Sequence, residues 1–332
     1  MPGKGIGAFF IHKTGERRWS SWPGKRYLTP FCMDLEQKAI ERVRTASEMS
    51  LALYGSPLVV TDSGGKDSAI CREIVRRAGI PYEVQHNLTT ADAPQTIYYL
   101  RENFKRLEQS GIPCQINYPF YKGERATMWK LIPIKKFPPT RIQRYCCQIL
   151  KEGGGMGRFI ITGVRWDESV KRKSNRGIFE NFTKDPGKKL ILNNDNDERR
   201  LLFENCSLKG KRICNPIVDW KDRDVWEYIE SERLPVNPLY EMGFFRVGCI
   251  GCPMAGKIRW KEFSLFPTYK HAYIRAFDRM LDCIHAGGSK TRWKTAEDVF
   301  LWWMEVEQVE GQLKLEDFEE WRSENGKQME LE

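Results

Sequence analysis

No stretch of the 332 residues approaches the ~18 consecutive apolar residues that a membrane span requires. The N-terminal sequence MPGKGIGAFFIHKTGERRW has no apolar core of signal-peptide length, so the expectation is a cytoplasmic location and no membrane partner. The chain has no internal repeat and no low-complexity segment, which excludes a repeat array. It also lacks the full G-x-x-x-x-G-K-S/T element of a Walker A loop, which excludes that form of nucleotide loop. In a reducing compartment, ten cysteines argue against a disulfide framework and for ligands among ordinary buried thiols.

What is present describes a packed and basic molecule. Hydrophobic residues make up 41% of the chain, with eleven tryptophans, enough for a sizeable core. The net charge is +10, but residues 297–332 hold twelve acidic and three basic side chains, a net of −9, so the remainder carries +19. A body so basic suits an anionic ligand, either a nucleotide or a nucleic-acid backbone. Within the acidic end, EDVFLWWMEVEQV repeats apolar residues at helical spacing and is expected to be a packed helix.

The periodicity sets out an alternation. Residues 34–53 place Leu35, Ala39, Ile40, Val43, Ala46 and Leu53 on one helical face. SPLVVTD then reads as a short, fully apolar strand, followed by a helix over 66–78. IPYEVQHN is a second strand, APQTIYYLRENFKRLEQSG a helix closed by Gly111, PCQINYP a third strand and RFIITGV a fourth. Strands alternating with helices predict an α/β fold, a doubly wound and mainly parallel sheet. Residues 171–211 are polar and read as an excursion, with short strands near 190–192 and Ile213. DRDVWEYIESERL is a further helix, 235–253 a loop rich in Gly and Pro, and Pro267 opens a helix with Tyr273, Ile274, Phe277 and Leu281 inward. The expected organisation is an N-terminal arm (1–33), a nucleotide-binding domain that also carries ligating cysteines (34–255), and a helical C-terminal extension with an acidic end (256–332).

The first strand runs into S-G-G-K-D-S. A glycine turn between a strand and a helix lets backbone amides approach an anion, and the helix N-terminus adds partial positive charge. Lys66 supplies a full charge; Ser63 and Ser68 supply hydroxyls. Ser63, Gly64, Gly65, Lys66, Asp67 and Ser68 are therefore the candidate anion cradle, and so tight a loop suits a pyrophosphate, a sulfate or one phosphate. In TGVRWDESVKRK, Arg165 follows a predicted strand end, where α/β sheets bind ligands, and a guanidinium there can grip phosphate or sulfate in bidentate fashion. Arg172 and Lys171 are further candidates.

These segments resemble the PP-loop of the adenine nucleotide alpha hydrolase superfamily, and more narrowly the phosphoadenosine phosphosulfate (PAPS) reductase family. HNLTTADAPQTIYYL stands where that family carries D-T-G…P-E-T. TGVRWDESVKR is similar to its G-x-R-x-x-E-S-x-x-R segment, and NPIVDW…DVW…NPLY…GCIGCP to its cysteine-bearing block. The resemblance covers residues 55–255. It implies that the loop holds the β,γ-pyrophosphate of ATP or the phosphosulfate end of PAPS or adenosine phosphosulfate (APS), with Mg²⁺ if the nucleotide is ATP. Thr90 can still offer a hydroxyl to phosphate or ribose, although the glycine of D-T-G is missing.

Cys146 and Cys147 are adjacent, and Cys249 and Cys252 form C-x-x-C. Four thiolates suit zinc or a 4Fe-4S cluster, and a redox C-x-x-C is a third reading. Spacing alone favours zinc, yet adjacent cysteines are unusual in zinc sites. The arrangement resembles the cluster-bearing members of the PAPS reductase family, including APS reductases and relatives in nucleic-acid sulfur modification, and this resemblance implies a 4Fe-4S cluster. The other six cysteines, Cys32, Cys71 and Cys206 among them, are expected to be structural. Residues 121–145 hold seven Lys or Arg against one Glu, a surface that could meet a nucleic acid or only flank the cysteines.

Sulfonucleotide reductases of the family use a C-terminal cysteine in E-C-G-Leu/Ile-His, released by thioredoxin. That motif is absent. Cys283, in MLDCIHAGG, is the nearest candidate and falls at the end of an amphipathic helix, where a packing role is expected. Three functions follow: an ATP pyrophosphatase in sulfur metabolism or nucleic-acid sulfur modification, with Lys66 and Arg165 catalytic and a sulfur donor as partner; a true PAPS or APS reductase with a thioredoxin-like partner; or a nucleotide-binding accessory subunit without turnover.

Overall fold

In the computed structural model the described residues are 8–11, 17–20, 30–155, 157–182, 190–195 and 210–305, with side chains described from Asp34. The chain forms two compact units. One comprises the segments up to His86, Pro94–Asn117 and Gly155–Val247; the other comprises Asn87–Ala93, Tyr118–Gly154 and Gly248 onward.

The first unit is built on seven strands: β1 (Leu58–Thr61), β2 (Tyr82–Asn87), β3 (Cys114–Asn117), β4 (Phe159–Ile161), β5 (Phe179–Phe182), β6 (Ile191–Leu192) and β7 (Lys211–Cys214). Their order across the sheet is β6-β5-β7-β4-β1-β2-β3. β1 pairs in parallel with β2 and β4, and β4 with β7, while β5 joins β7 and β6 antiparallel. LVVT and FII are apolar or β-branched without polar alternation, as strands covered on both faces must be, and β4 is buried throughout. β2 instead alternates, with Tyr82, Val84 and His86 buried.

Helices flank this mainly parallel sheet: α1 (Pro30–Tyr54), α2 (Lys66–Ala78), α3 (Pro94–Gln109), the short α6 (Val170–Asn175) and α7 (Asp222–Glu232). The core joins Ala39 and Val43 of α1, Leu58 and Val60 of β1, Ile70 and Ile74 of α2, Phe159 of β4 and Trp220 before α7. α2 ends where Gly79 takes a left-handed φ of 68° and donates its N–H to Arg76 O. The chain runs from β1 to β2 and β3 on one side, then places β4 on the other side of β1. The reversal falls at the C-terminal ends of β1 and β4, the usual ligand position in such sheets.

The expected α/β fold is therefore present. The polar excursion conceals β5, whose sequence FENF carries no apolar alternation. Glu180 in it is buried, and its carboxylate accepts from Asn215 Nδ2 (2.6 Å) and Gly177 N–H (3.2 Å) and pairs with Arg176 (2.8 Å).

The second unit is helical: α4 (Met128–Lys135), α5 (Tyr145–Leu150), α8 (Arg259–Leu265), α9 (Pro267–Ala286) and α10 (Ala296–Trp303). Pro267 stands at the start of α9, which buries Tyr273, Phe277 and Leu281, with Ile274 half-buried. Tyr273 stacks on Trp303 at 4.6 Å and meets Trp129 edge-on at 5.0 Å. The expected C-terminal helix is present as α10 but ends at Trp303, with Glu305 at φ 62°; residues past Glu305, and Cys206, lie outside the described residues. No helix among the described residues is long and apolar enough to cross a membrane.

Ile70 is fully buried on the inner face of α2. Ile70→Ala is expected to destabilise the protein by about 2–5 kcal/mol, read as a lowered urea midpoint with an unchanged slope.

Candidate functional site

β1 ends at Thr61, and the chain turns over residues 62–65 into α2. Asp62 shapes this turn. Its carboxylate is 2% exposed, accepts from Gly64 N–H (2.8 Å) and Ser68 Oγ (3.0 Å), and pairs with Arg72. Gly64 has φ +75°, and a Cβ there would stand 2.7 Å from Thr96 Cγ2, so both backbone and space require glycine. Asn237 Nδ2 donates to Gly64 O and Thr96 Oγ1, each at 3.1 Å, and the Tyr240 hydroxyl accepts from Lys66 N–H at 2.9 Å. Ser63 Oγ and Ser68 Oγ are 3.4 Å apart. The cradle residues are thus together, but the amides of Gly64 and Lys66 are engaged within the protein.

The strand beside it brings in the arginine. Gly163 follows β4, and a Cβ at that position would fall 2.8 Å from the Asp67 backbone. Its absence lets the 162–165 turn lie against the start of α2. Arg165 is 2% exposed, donates from Nε to Asp67 Oδ1 (2.6 Å) and from Nη2 to Asp222 Oδ1 (2.9 Å). Lys66, also buried, places Nζ 2.9 Å from Asp222 Oδ1 and 3.3 Å from Asp67 Oδ2. Lys66 and Arg165 therefore share one network with Asp67 and Asp222, and Asp167 lies farther off, 3.7 Å from Arg165 Nη1. Burial would raise the Asp222 carboxyl, but Lys66 and then Arg165 outweigh it and hold it below the ordinary range.

The rest of the arginine segment plays a different part. Glu168 accepts from Arg165 N–H (3.0 Å) and pairs with Arg172, so Arg172 meets Glu168 rather than either carboxylate of the network. Ser169 caps α6 by accepting from Arg172 N–H (3.2 Å). Lys171 is exposed on the same short helix.

Thr90 belongs to the second unit. Its φ is +64°, which a β-branched residue rarely tolerates, and its hydroxyl donates to Thr89 O (2.6 Å) and accepts from Met128 N–H (2.9 Å) at the start of α4.

In that unit, Cys146 and Cys147 occupy the first turn of α5. The 249–252 loop is held by an antiparallel bridge between Asp92 and Cys249, by Ile250 N–H donating to Ala91 O (2.7 Å), and by Tyr273 donating to Ile250 O (2.9 Å). Gly251 has φ +72°, and a Cβ there would lie 2.6 Å from Phe263 Cζ. All four cysteines line one cavity, together with Thr89, Lys151 and Tyr273.

Cys249 Sγ donates to Thr89 Oγ1 at 3.3 Å, and burial pushes its thiol up to about 11. The hydrogen bond from Cys146, with Arg144 (Nη2 3.5 Å from Sγ) and Lys151 behind it and burial opposing, pulls the Cys147 thiol down to about 5. Among the described residues no three Cys, His, Asp or Glu side chains converge in metal-ligand geometry. What the cavity does offer is the chemistry of the donor set: four cysteines and Lys151 line it, and Arg144 stands beside Cys147 to offset thiolate charge. Of the remaining cysteines, Cys71 and Cys214 are buried, Cys114 is half-buried, and Cys283 is exposed near the end of α9.

The basic stretch carries a small hairpin, Phe120–Tyr121 against Glu124–Arg125. The Arg125 guanidinium lies 3.8 Å from the Tyr118 ring centroid, Lys135 lies 4.7 Å from that of Tyr121, and Phe120 is 68% exposed.

Asp62, Asp222, Asn237 and Tyr240 are site residues that reading along the sequence did not single out. The last two stand in NPLY, already noted for its resemblance, but their hydrogen bonds to the loop span more than 170 positions.

A model of the phosphoadenosine phosphosulfate reductase domain matches residues 57–255. An adenosine 5'-phosphosulfate reductase of Allochromatium vinosum is 24% identical over 203 residues, 60% of this chain and 68% of its own. Sulfate adenylyltransferase subunit 2 of Agrobacterium fabrum is 24% identical over 233 residues, 69% of each chain. Among solved structures, a U34-tRNA thiolase of Methanococcus maripaludis with its 4Fe-4S cluster superposes with a TM-score of 0.41 at 12% identity, covering 94% of this chain and 92% of its own.

Gly251→Ala is expected to strain the 249–252 loop and push into Phe263. The expected loss is about 1–3 kcal/mol in urea unfolding, with faster thiol-reagent labelling of Cys249 in the folded protein.

Proposed function

The chain belongs to the phosphoadenosine phosphosulfate reductase domain family, and from that premise we propose that it cleaves ATP at the α-phosphate. The observation that carries this reading is the pair of buried cations, Lys66 and Arg165, at the ends of β1 and β4 where the sheet order reverses. In this reading the 63–68 loop and Lys66 hold the β- and γ-phosphates of ATP, bound as its magnesium complex. An acceptor oxygen or water attacks the α-phosphorus, the bond to the bridging oxygen breaks, and pyrophosphate leaves with its electron pair. Lys66 meets the charge that grows on that leaving group, and Arg165 steadies the phosphoryl oxygens. Ser63 donates its hydroxyl to the same oxygens, Ser68 does so on releasing Asp62, and Asp67 holds Arg165 in place. Arg172 and Thr90 remain proposed nucleotide contacts, and each must release its present partner to serve as one.

Cys146, Cys147, Cys249 and Cys252 are proposed to hold a 4Fe-4S cluster, which would supply sulfur ligation or electron transfer to the reaction. The shared cavity and the neutralising Lys151 and Arg144 support that donor set. The acceptor is proposed to be a sulfur-containing small molecule or a nucleic acid. The exposed Phe120 and the cations of 118–136 suit base stacking and phosphate contact. A second reading, reduction of APS or PAPS, draws support from the relative's name, with the exposed Cys283 as the thiol that would attack sulfur.

Incubation of the anaerobically purified protein with ATP, APS and PAPS in parallel separates these readings. Pyrophosphate from ATP is the expected product, falling at least a hundredfold in Lys66→Ala. Sulfite from APS or PAPS with thioredoxin, lost in Cys283→Ala, would replace the first reading with the second. Nucleotide binding without any product would leave an accessory subunit.

For the cluster, about four irons per chain and a brown colour are expected, with a large loss of both in Cys249→Ser. An iron-free, colourless wild type purified under the same conditions would remove the cluster from the proposal.

A further inference from the structure

The Lys66–Arg165 network holds a feature that nucleotide binding alone leaves unexplained. One oxygen, Asp222 Oδ1, stands 2.9 Å from Lys66 Nζ and 2.9 Å from Arg165 Nη2. A single oxygen bridging an ammonium and a guanidinium is the position that an oxygen of a bound phosphate or sulfate would take. The two cations are almost sealed, with side chains 7% and 3% exposed, whereas the Asp222 side chain is 56% exposed. Asp67 is 23% exposed and grips Arg165 Nε at 2.6 Å from the first turn of α2. Asp222 is therefore the partner on the solvent side. It can leave the cations for water with little desolvation cost.

We propose that Asp222 is a tethered counter-anion that an incoming oxyanion must displace, and that it thereby selects multiply charged groups over single charges. The proposal deepens the nucleotide reading and rests on it. The arithmetic of charge gives the selection its sense. At hydrogen-bond distance Lys66 and Arg165 are balanced by Asp67 and Asp222, with the half-exposed Asp167 farther off at 3.7 Å from Arg165 Nη1. Exchanging the Asp222 carboxylate for a monoanion replaces one single charge by another and gains no net attraction. A pyrophosphate or phosphosulfate group brings two or more charges to the same two cations and does gain it. Until such a group arrives, the tethered carboxylate keeps two buried cations from having Asp67 as their one shared partner at hydrogen-bond distance.

The test uses the full chain and two probes, inorganic pyrophosphate and nitrate. Binding is followed by calorimetry or by tryptophan fluorescence, since the Trp226 ring centre lies 6.0 Å from Lys66 Nζ. Wild type is expected to bind pyrophosphate without competition from nitrate. Asp222→Asn is expected to bind pyrophosphate about tenfold more tightly, as loss of one charge-assisted competitor implies, and to become sensitive to nitrate. Asp222 opens α7, so Asp222→Ser, which also suits a helix start, provides the same measurement if the Asn variant melts early. Pyrophosphate affinity that is unchanged or weaker in the folded variants, with nitrate still ineffective, overturns the inference while leaving the nucleotide reading intact. A wild type that binds neither pyrophosphate nor ATP overturns both.

Discussion

A buried carboxylate at the end of β1 sets the shape on which the rest of the first unit's site depends. Asp62 has almost no contact with water, so its charge must be met inside the protein, and it is met by Gly64 N–H, Ser68 Oγ and Arg72 together. Those bonds fold the chain back on itself over three residues and start α2 at Lys66. Once α2 starts there, Lys66 and Asp67 stand beside the end of β1, and Gly163 lets Arg165 come down from β4 onto Asp67. The loop's geometry thus follows from satisfying one acid, and the cations of the network inherit their positions from it.

The cysteine cavity achieves order by other means. Its loop is wedged by aromatic side chains: Phe263, Tyr273 and Trp303 crowd Gly251 so closely that no Cβ fits. Glu262 accepts from Gly251 N–H at 2.7 Å, and Trp303 Nε1 donates to Pro139 O at 2.7 Å, which ties the approach to α5 to the same packing. Hydrogen bonding holds the first site and close packing the second. A conservative change of side-chain volume should therefore matter more around the cysteines than around the loop.

Much of this was legible in the sequence because it is local. Apolar runs ending in glycine gave away β1 and α2, the period of 3.6 gave the helices, and Pro267 marked the start of α9. Lys66, Arg165 and the four cysteines could be named because their residue types have few other uses in such company. The remainder was hidden for physical reasons. β5 escapes because its Glu180 is buried by partners, Asn215 and Arg176, that no periodicity advertises. Asp222 reads as an ordinary acidic residue at a helix start until folding sets it against two cations from elsewhere in the chain. The engagement of the Gly64 and Lys66 amides depends on Asp62 beside them and on Tyr240, 174 positions away.

The interleaving of the two units bears on how the protein can be made. The chain passes from one to the other after His86, Ala93, Asn117, Gly154 and Val247. The sheet-bearing unit lacks α7, and with it Asp222, Asn237 and Tyr240, until the ribosome has passed Val247, so its loop cannot reach final form while most of the chain is still being synthesised. Nor can either unit be cut free as a contiguous fragment. A shortened gene that keeps S-G-G-K-D-S but stops before NPLY would encode the loop without the side chains that fasten it.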